Sequence, residues 1–386
     1  MIAPFEFSAK TRILFGAGKA ARLGETLTQF GCVRPFLLTG SHVSRTAAFQ
    51  GILQALGGAG IKPEVCAESR ADPETEFADA LAARIRAGGY DAVVAVGGGS
   101  VIDGAKAAAM LVTNGGEAKQ YMFGGGRTVS VAPLTLIAVP TTAGSGSEVT
   151  SSSVLTDVAA RQKRSITSPL LIPAAAIIDP ETHVDMPASV TSTTGMDALT
   201  HALEAYVSRN ANPVSDAFGE AAMRKIAASI ETAVLSPRDL GARAEMAVAA
   251  TLAGMAFTGG GLGAVHGISQ AIGGLAHVAH GLGNALLLPH VMAVNLPGAP
   301  ARFARIAELL GVPRGSSGDE EMSRAAVEAV RSLNARLNIP ARLSEVGVTR
   351  AMFPRIIEEA MAYRLMPLNP VTWTEKDIEN VLNSAF

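Results

Sequence analysis

Short apolar runs and Ala-rich amphipathic stretches alternate along the first half of the chain. Val33 to Thr39, Ala92 to Val96, Thr135 to Val139 and Ala175 to Ile178 are β-branched or apolar and bounded by Gly or Pro, which predicts strands. Between them Ala47 to Ala59, Thr75 to Ala87 and Val101 to Val112 repeat apolar positions at helical spacing. That alternation predicts a parallel sheet covered by helices. From about Ser189 the strand signal fades, and Thr191 to Val207, Val214 to Ala233 and Arg243 to Phe257 carry helical periodicity. The expectation is an α/β domain over residues 1–187 and an all-helical domain over 188–386, divided near Pro187.

Composition narrows the function classes. The 386 residues are 48% hydrophobic, yet Gly, Pro and charge break every apolar run before the ~18 to 20 residues a membrane span needs. Formal net charge is -2 with 17% charged residues, so no basic field exists to recruit nucleic acid or anionic lipid. The start of the chain lacks the basic, apolar and small-residue order of a secretory signal. With only Cys32 and Cys66, in no metal or redox spacing, a reducing cytoplasm is the expected compartment.

Two segments have the chemistry of a dinucleotide site. Asp91 to Ser100 is an apolar strand running into Gly97-Gly98-Gly99-Ser100 and then a helix. Glycines let backbone approach a pyrophosphate, Ser100 can cap the helix, and the helix dipole favours negative charge there. Asp103, one turn in, can bond a ribose hydroxyl or merely complement the dipole. This is not the spaced G-x-G-x-x-G fingerprint, and a plain strand-to-helix turn is the alternative. The second segment, Pro140 to Glu148, follows another strand and offers the hydroxyls of Thr141, Thr142 and Ser145. Two such turns at strand ends of one α/β sheet mark a ligand crevice.

The helical half carries a candidate metal site. Asp197 and His201 are four residues apart on one helix face, the geometry of a two-ligand clip. Three of the chain's seven histidines, His266, His277 and His280, fall in apolar, glycine-rich surroundings. Buried imidazoles need partners, and a shared cation would satisfy several at once. Core histidines with ordinary partners are the alternative.

Across essentially its whole length the chain resembles the iron-containing (group III) alcohol dehydrogenases. The matching pieces are Gly97 to Lys106, Pro140 to Glu148, Gly195 to His201 and His266 to Gly281. The resemblance implies an N-terminal dinucleotide-binding α/β domain, an all-helical C-terminal domain, a cleft between them and a homodimer. It places the metal ligands on Asp197, His201, His266 and His280, the pyrophosphate contacts on Gly98, Gly99 and Ser100, and nucleotide hydroxyl contacts on Thr141, Thr142 and Ser145. It also makes Lys163 a cofactor-facing lysine. The implied reaction is hydride transfer between NAD or NADP and a small alcohol or aldehyde on a divalent ion, iron(II) first and zinc as the alternative. Rival readings are a hydroxyacid-oxoacid transhydrogenase and relatives resembling maleylacetate reductase or dehydroquinate synthase. The last needs an Arg/Lys cluster for a polyanion, which the motif stretches lack.

Two positions depart from the family pattern. Many relatives carry a histidine four residues after the third ligand, whereas this chain has Gln270, which hydrogen-bonds but does not titrate. Proton transfer then falls to solvent and cofactor hydroxyls or to His277, solvent being the preferred reading. NAD-preferring relatives often place an Asp where this chain has Gly40, so a 2′-phosphate is not repelled there and Arg45 stands nearby. NADP(H) is expected to be accepted.

Overall fold

The computed structural model describes residues 4–386, which divide into two units. One comprises Ala9–Met186 with Pro237–Ala247; the other comprises residues 4–8, Pro187–Ser236 and Val248–Phe386. The sequence places a division near Pro187, but it does not reveal that residues 4–8 group with the second unit and 237–247 with the first.

The first unit contains the strands β1 (Arg12–Phe15), β2 (Pro35–Gly40), β3 (Glu64–Ser69), β4 (Ala92–Gly97), β5 (Thr135–Pro140), β6 (Ser152–Asp157), β7 (Gln162–Thr167) and β8 (Ala175–Ile178). Its helices are α1 (Leu23–Gln29), α2 (Ala47–Gly58), α3 (Thr75–Gly88) and α4 (Gly99–Asn114). Six strands form a parallel sheet in the order β1-β8-β5-β4-β2-β3, while β6 and β7 form a separate antiparallel hairpin. Every residue of β4 is buried, as expected where helices cover both faces. Alternate residues divide the core accordingly. Leu37, Val94, Val96, Ile137 and Ile177 pack against Phe49, Ile52 and Leu56 of α2. Phe36, Leu38, Val93 and Ala95 pack against Leu81 and Ile85 of α3 and Ile102 and Ala105 of α4.

This topology creates a binding position. From β2 the chain passes through α2 to the outer strand β3, then returns through α3 to β4 on the other side of β2. The winding reverses between β2 and β4, and ligands of open α/β sheets bind beyond the carboxyl ends of strands at such a point. The β2–β4 register sets Thr39 opposite Val96, and the β4–β5 register sets Gly97 opposite Pro140. Gly40, the glycine turn and the Pro140 loop therefore follow three adjacent strand ends.

The second unit is helical, with α5 (Ala188–Val207), α6 (Pro213–Leu235), α8 (Ala264–Ala276), α9 (His280–Asn295), α10 (Pro300–Leu309), α11 (Asp319–Arg336), α12 (Phe353–Met361) and α13 (Glu375–Ser384). Between α6 and α8, α7 (Leu240–Gly260) begins in the α/β unit and ends in the helical one. Side chains set the helix starts: Asn212 caps α6 ahead of Pro213, and Thr374 caps α13. Among the described residues no single helix is long and apolar enough to cross a membrane. Cys32 and Cys66 are buried and free.

Candidate active site

In the α/β unit, the glycine turn and the Pro140 loop touch. A Cβ at Gly98 would lie 3.0 Å from Thr142 Oγ1, and one at Gly99 would lie 2.5 Å from Ser145 Oγ and 2.8 Å from its Cβ, so Gly98 leaves little room for a side chain and a side chain at Gly99 would displace Ser145. Thr141 N–H donates to Gly97 O at 3.1 Å, which joins the two loops by backbone as well. The N-cap of α4 is Gly98, and no side chain caps it. The sequence assigns capping to Ser100, but its hydroxyl instead accepts from Asp72 N–H at 3.3 Å. A first turn with no side-chain cap, beside glycines and three hydroxyls, is a cradle that fits a pyrophosphate.

Asp103 is placed differently from the ribose-binding expectation. Its Oδ1 accepts from Ser147 Oγ and its Oδ2 from Val154 N–H, so one oxygen ties α4 to the turn after the Pro140 loop and the other to the first strand of the hairpin. Lys106, fully buried, donates to Thr150 O, Thr150 Oγ1 and Ser152 O and completes that junction. Burial pulls the Lys106 ammonium down to about 8 against the opposing pull of Asp103 and Glu148. Lys163, whose side chain is only 5% exposed, pairs with Asp72 at 2.5 Å. Through Asp72 it is linked to Ser100, which brings Lys163 to the α4 N-terminus rather than leaving it a solvated charge.

In the helical unit, α5 supplies Asp197 and His201 on one face, α8 supplies His266 in its first turn, and His280 opens α9. Their ligand atoms all lie within 4.8 Å of one another. Asp197 Oδ1 is 3.8 Å from His201 Nε2, 4.0 Å from His266 Nε2 and 3.7 Å from His280 Nε2. The three spacings to Asp197 exceed the ~3.4 Å edge of a tetrahedron with ~2.1 Å bonds by ~0.3–0.6 Å, so the cluster is of a size that fits a divalent ion. Gly281 makes the approach of α9 to α5 possible, since a Cβ there would meet Thr193 O at 2.5 Å and Asp197 Cβ at 3.3 Å. His201 stacks between Phe257 and His266, each at 4.6 Å between ring centres. Burial opposes the charge on Asp197, but His201, His280, His266 and the Asn284 amide outweigh it and hold the carboxyl below its ordinary range.

Two polar groups of this centre go unnoticed in the sequence. Glu204 accepts from His266 Nδ1 at 2.6 Å, and Asn284 Nδ2 donates to Asp197 Oδ1 at 2.7 Å. Both follow a ligand at helical spacing, Glu204 three residues after His201 and Asn284 four after His280. That spacing is the signal that would find them. Gln270 is half-buried on α8, one turn beyond His266. His277 is exposed and forms the C-cap of α8 in the left-handed conformation, φ 55°.

The comparisons with known proteins agree across the full length. Residues 10–180 match the iron-containing alcohol dehydrogenase family model, and residues 191–386 match the C-terminal model of the Fe-containing alcohol dehydrogenase family. The chain is 35% identical over 374 residues to the NAD-dependent methanol dehydrogenase of Bacillus methanolicus, covering 97% of each chain. It is 37% identical over 385 residues to the 1,3-propanediol dehydrogenase of Klebsiella pneumoniae, covering 99% of each. A crystal structure of 1,3-propanediol oxidoreductase superposes with a TM-score of 0.95 at 35% identity, covering 100% of both chains. With a sheet that ends in two touching glycine-bearing loops, a carboxylate and three imidazoles converging within 4.8 Å, and both halves matched, the chain belongs to the iron-containing alcohol dehydrogenase family of oxidoreductases.

Proposed function

We propose that the protein is a metal-dependent NAD(P)-linked dehydrogenase of small primary alcohols and their aldehydes. The observation that carries this reading is the complete ligand set Asp197, His201, His266 and His280, gathered from three helices. A divalent ion there would supply Lewis acidity toward an alcohol or aldehyde oxygen, and the dinucleotide would carry the hydride. Iron(II) is the first candidate and zinc the second, as one carboxylate and three imidazoles suit either. The names of the relatives, an NAD-dependent methanol dehydrogenase and 1,3-propanediol dehydrogenases, support small alcohols.

The chain's own residues have distinct tasks in this reading. Gly98, Gly99 and Ser100 present the α4 N-terminus to the pyrophosphate, with Gly97 keeping the turn tight. Thr141, Thr142 and Ser145 supply hydroxyls to the nucleotide, and Lys163, anchored by Asp72, faces the cofactor. Gln270 orients groups by hydrogen bonding, and protons leave through solvent and cofactor hydroxyls. His277, exposed at a helix end, is assigned a structural part. With Gly40 at the end of β2 and no carboxylate there, NADP(H) is accepted beside NAD(H). The active assembly is a homodimer.

The test is metal reconstitution. Protein purified without oxygen and stripped by chelator is assayed by NAD(P)H absorbance with short alcohols and aldehydes and added iron(II) or zinc. Turnover restored by metal and lost in His266→Ala is the expected result. A folded protein that binds dinucleotide but turns over no alcohol or aldehyde with either metal would overturn it in favour of a transhydrogenase or lyase.

A further inference from the structure

We propose that Glu204 is a positioning residue of the metal centre, which fixes the tautomer of His266 and adds a second negative charge beside the ion. The inference rests on the reading that Asp197, His201, His266 and His280 hold a divalent cation. Asp197, His201 and Glu204 stand at helical spacings of four and then three residues along α5. Glu204 is 4% exposed, and its carboxylate accepts three hydrogen bonds: Gly263 N–H at 2.9 Å, Val265 N–H at 2.7 Å and His266 Nδ1 at 2.6 Å.

Geometry makes the carboxylate decisive for the imidazole. An ionised carboxylate only accepts, so the proton of His266 is held on Nδ1 and the lone pair is left on Nε2. Nε2 is the atom that faces Asp197 Oδ1. With the other tautomer, His266 would offer the ion an N–H instead of a lone pair. Counting Asp197 and Glu204 together, two carboxylates offset a divalent charge within this buried cluster.

The same carboxylate caps α8 from another helix, so capping and ligand positioning must be separated. Asn369 provides the comparison. Its Oδ1 accepts from Ala264 N–H at 3.1 Å in the same first turn, but no hydrogen bond joins it to His266. A Cβ at Gly263 would sit 2.7 Å from Asn369 Oδ1 and 2.9 Å from Glu204 Oε1, so both side chains close on that glycine.

The experiment measures zinc dissociation constants by chelator competition for the full wild-type chain, Glu204→Gln and Asn369→Ala, with melting temperatures of the stripped proteins alongside. Glu204→Gln is expected to weaken zinc binding by roughly 10–100-fold. Asn369→Ala should lower the melting temperature of the stripped protein while leaving zinc affinity within a few-fold. Equal affinity losses in the two variants, or none in Glu204→Gln, would overturn the proposal. Absence of zinc binding in the wild-type chain would instead overturn the metal reading beneath it. If Glu204→Gln does not fold, the zinc-loaded wild type decides through a 15N-histidine spectrum assigned with His266→Asn. An Nδ1-protonated His266 with a far-downfield proton supports the proposal, and an Nε2-protonated His266 refutes it.

Discussion

The side-chain amide of Asn284 donates to Asp197 Oδ1 at 2.7 Å, with both groups buried and His266 Nε2 and His280 Nε2 within 3.2 Å of the same nitrogen. Asn284 thus braces the only carboxylate in the ligand set. A hydrogen bond to a charged group contributes about 1.5–3 kcal/mol, and its loss in a buried place leaves the acceptor unsatisfied. Asn284→Leu is therefore expected to lower the unfolding free energy of stripped protein by that order and to weaken metal binding, measured by denaturant titration and chelator competition. Unchanged stability and affinity would show that Asp197 does not depend on this amide.

Gly40→Asp tests cofactor choice. Gly40 ends β2 beside Ser69 O, which a Cβ would approach to 3.3 Å, so a side chain fits with a small adjustment. A carboxylate there would repel a 2′-phosphate and offer an acceptor to a ribose hydroxyl. The ratio of kcat/KM for NADP(H) over NAD(H) should fall by roughly tenfold or more, equivalent to ~1.4 kcal/mol of repulsion. A ratio that does not move would mean that the adenosine ribose lies elsewhere.

The elements that read clearly in the sequence are those that are buried on both sides. β2, β4, β5 and β8 announce themselves as apolar runs because helices cover both faces of the sheet. β1 and β3 are the edge strands. β1 is four residues long and mostly exposed, and β3 mixes Glu64, Glu68 and Ser69 with Val65 and Cys66, so neither carries a clean period. The His266, His277 and His280 cluster was legible because histidines are conspicuous in apolar, glycine-rich segments, and the choice of Asp197, His201, His266 and His280 among the candidates came from the family resemblance. Glu204 was not, since a glutamate on a helix ordinarily reads as a solvated face. Nor was Asp72, whose partner Lys163 lies 91 residues away and meets it only once the hairpin folds.

Gln270→His tests the proton route. Gln270 is half-buried one turn past His266, and an imidazole placed there would titrate near neutral pH where glutamine does not. The variant is expected to keep its activity and to show an added ionisation in the pH profile of kcat/KM. A folded but inactive variant would mean that glutamine's hydrogen bonding is indispensable and that the solvent route is wrong.

His183 predicts a pH dependence of stability. Its Nε2 lies 3.0 Å from Pro140 O, which also accepts from Thr182 Oγ1 at 2.8 Å, so two side chains hold the carbonyl from which the Thr141–Ser145 loop departs. Its Nδ1 is buried with no hydrogen-bond partner. Burial first, and Arg243 in addition, push the imidazole down to about 4 from 6.5 despite the Pro140 bond. Between those pH values the unfolded chain binds a proton that the folded chain refuses. The contribution of His183 is therefore intact above about pH 6.5 and is lost progressively as pH falls toward 4, at up to ~1.4 kcal/mol per pH unit. His183→Gln keeps a donor for Pro140 O and removes the titration. Between pH 7 and pH 5, wild-type protein should lose about 2 kcal/mol more unfolding free energy than this variant in denaturant titrations of stripped samples. Because the metal-site histidines are present in both proteins, they do not account for a difference between them. Parallel acid slopes would mean that His183 takes up its proton within the fold, and that the Pro140 carbonyl is not held by a neutral ring.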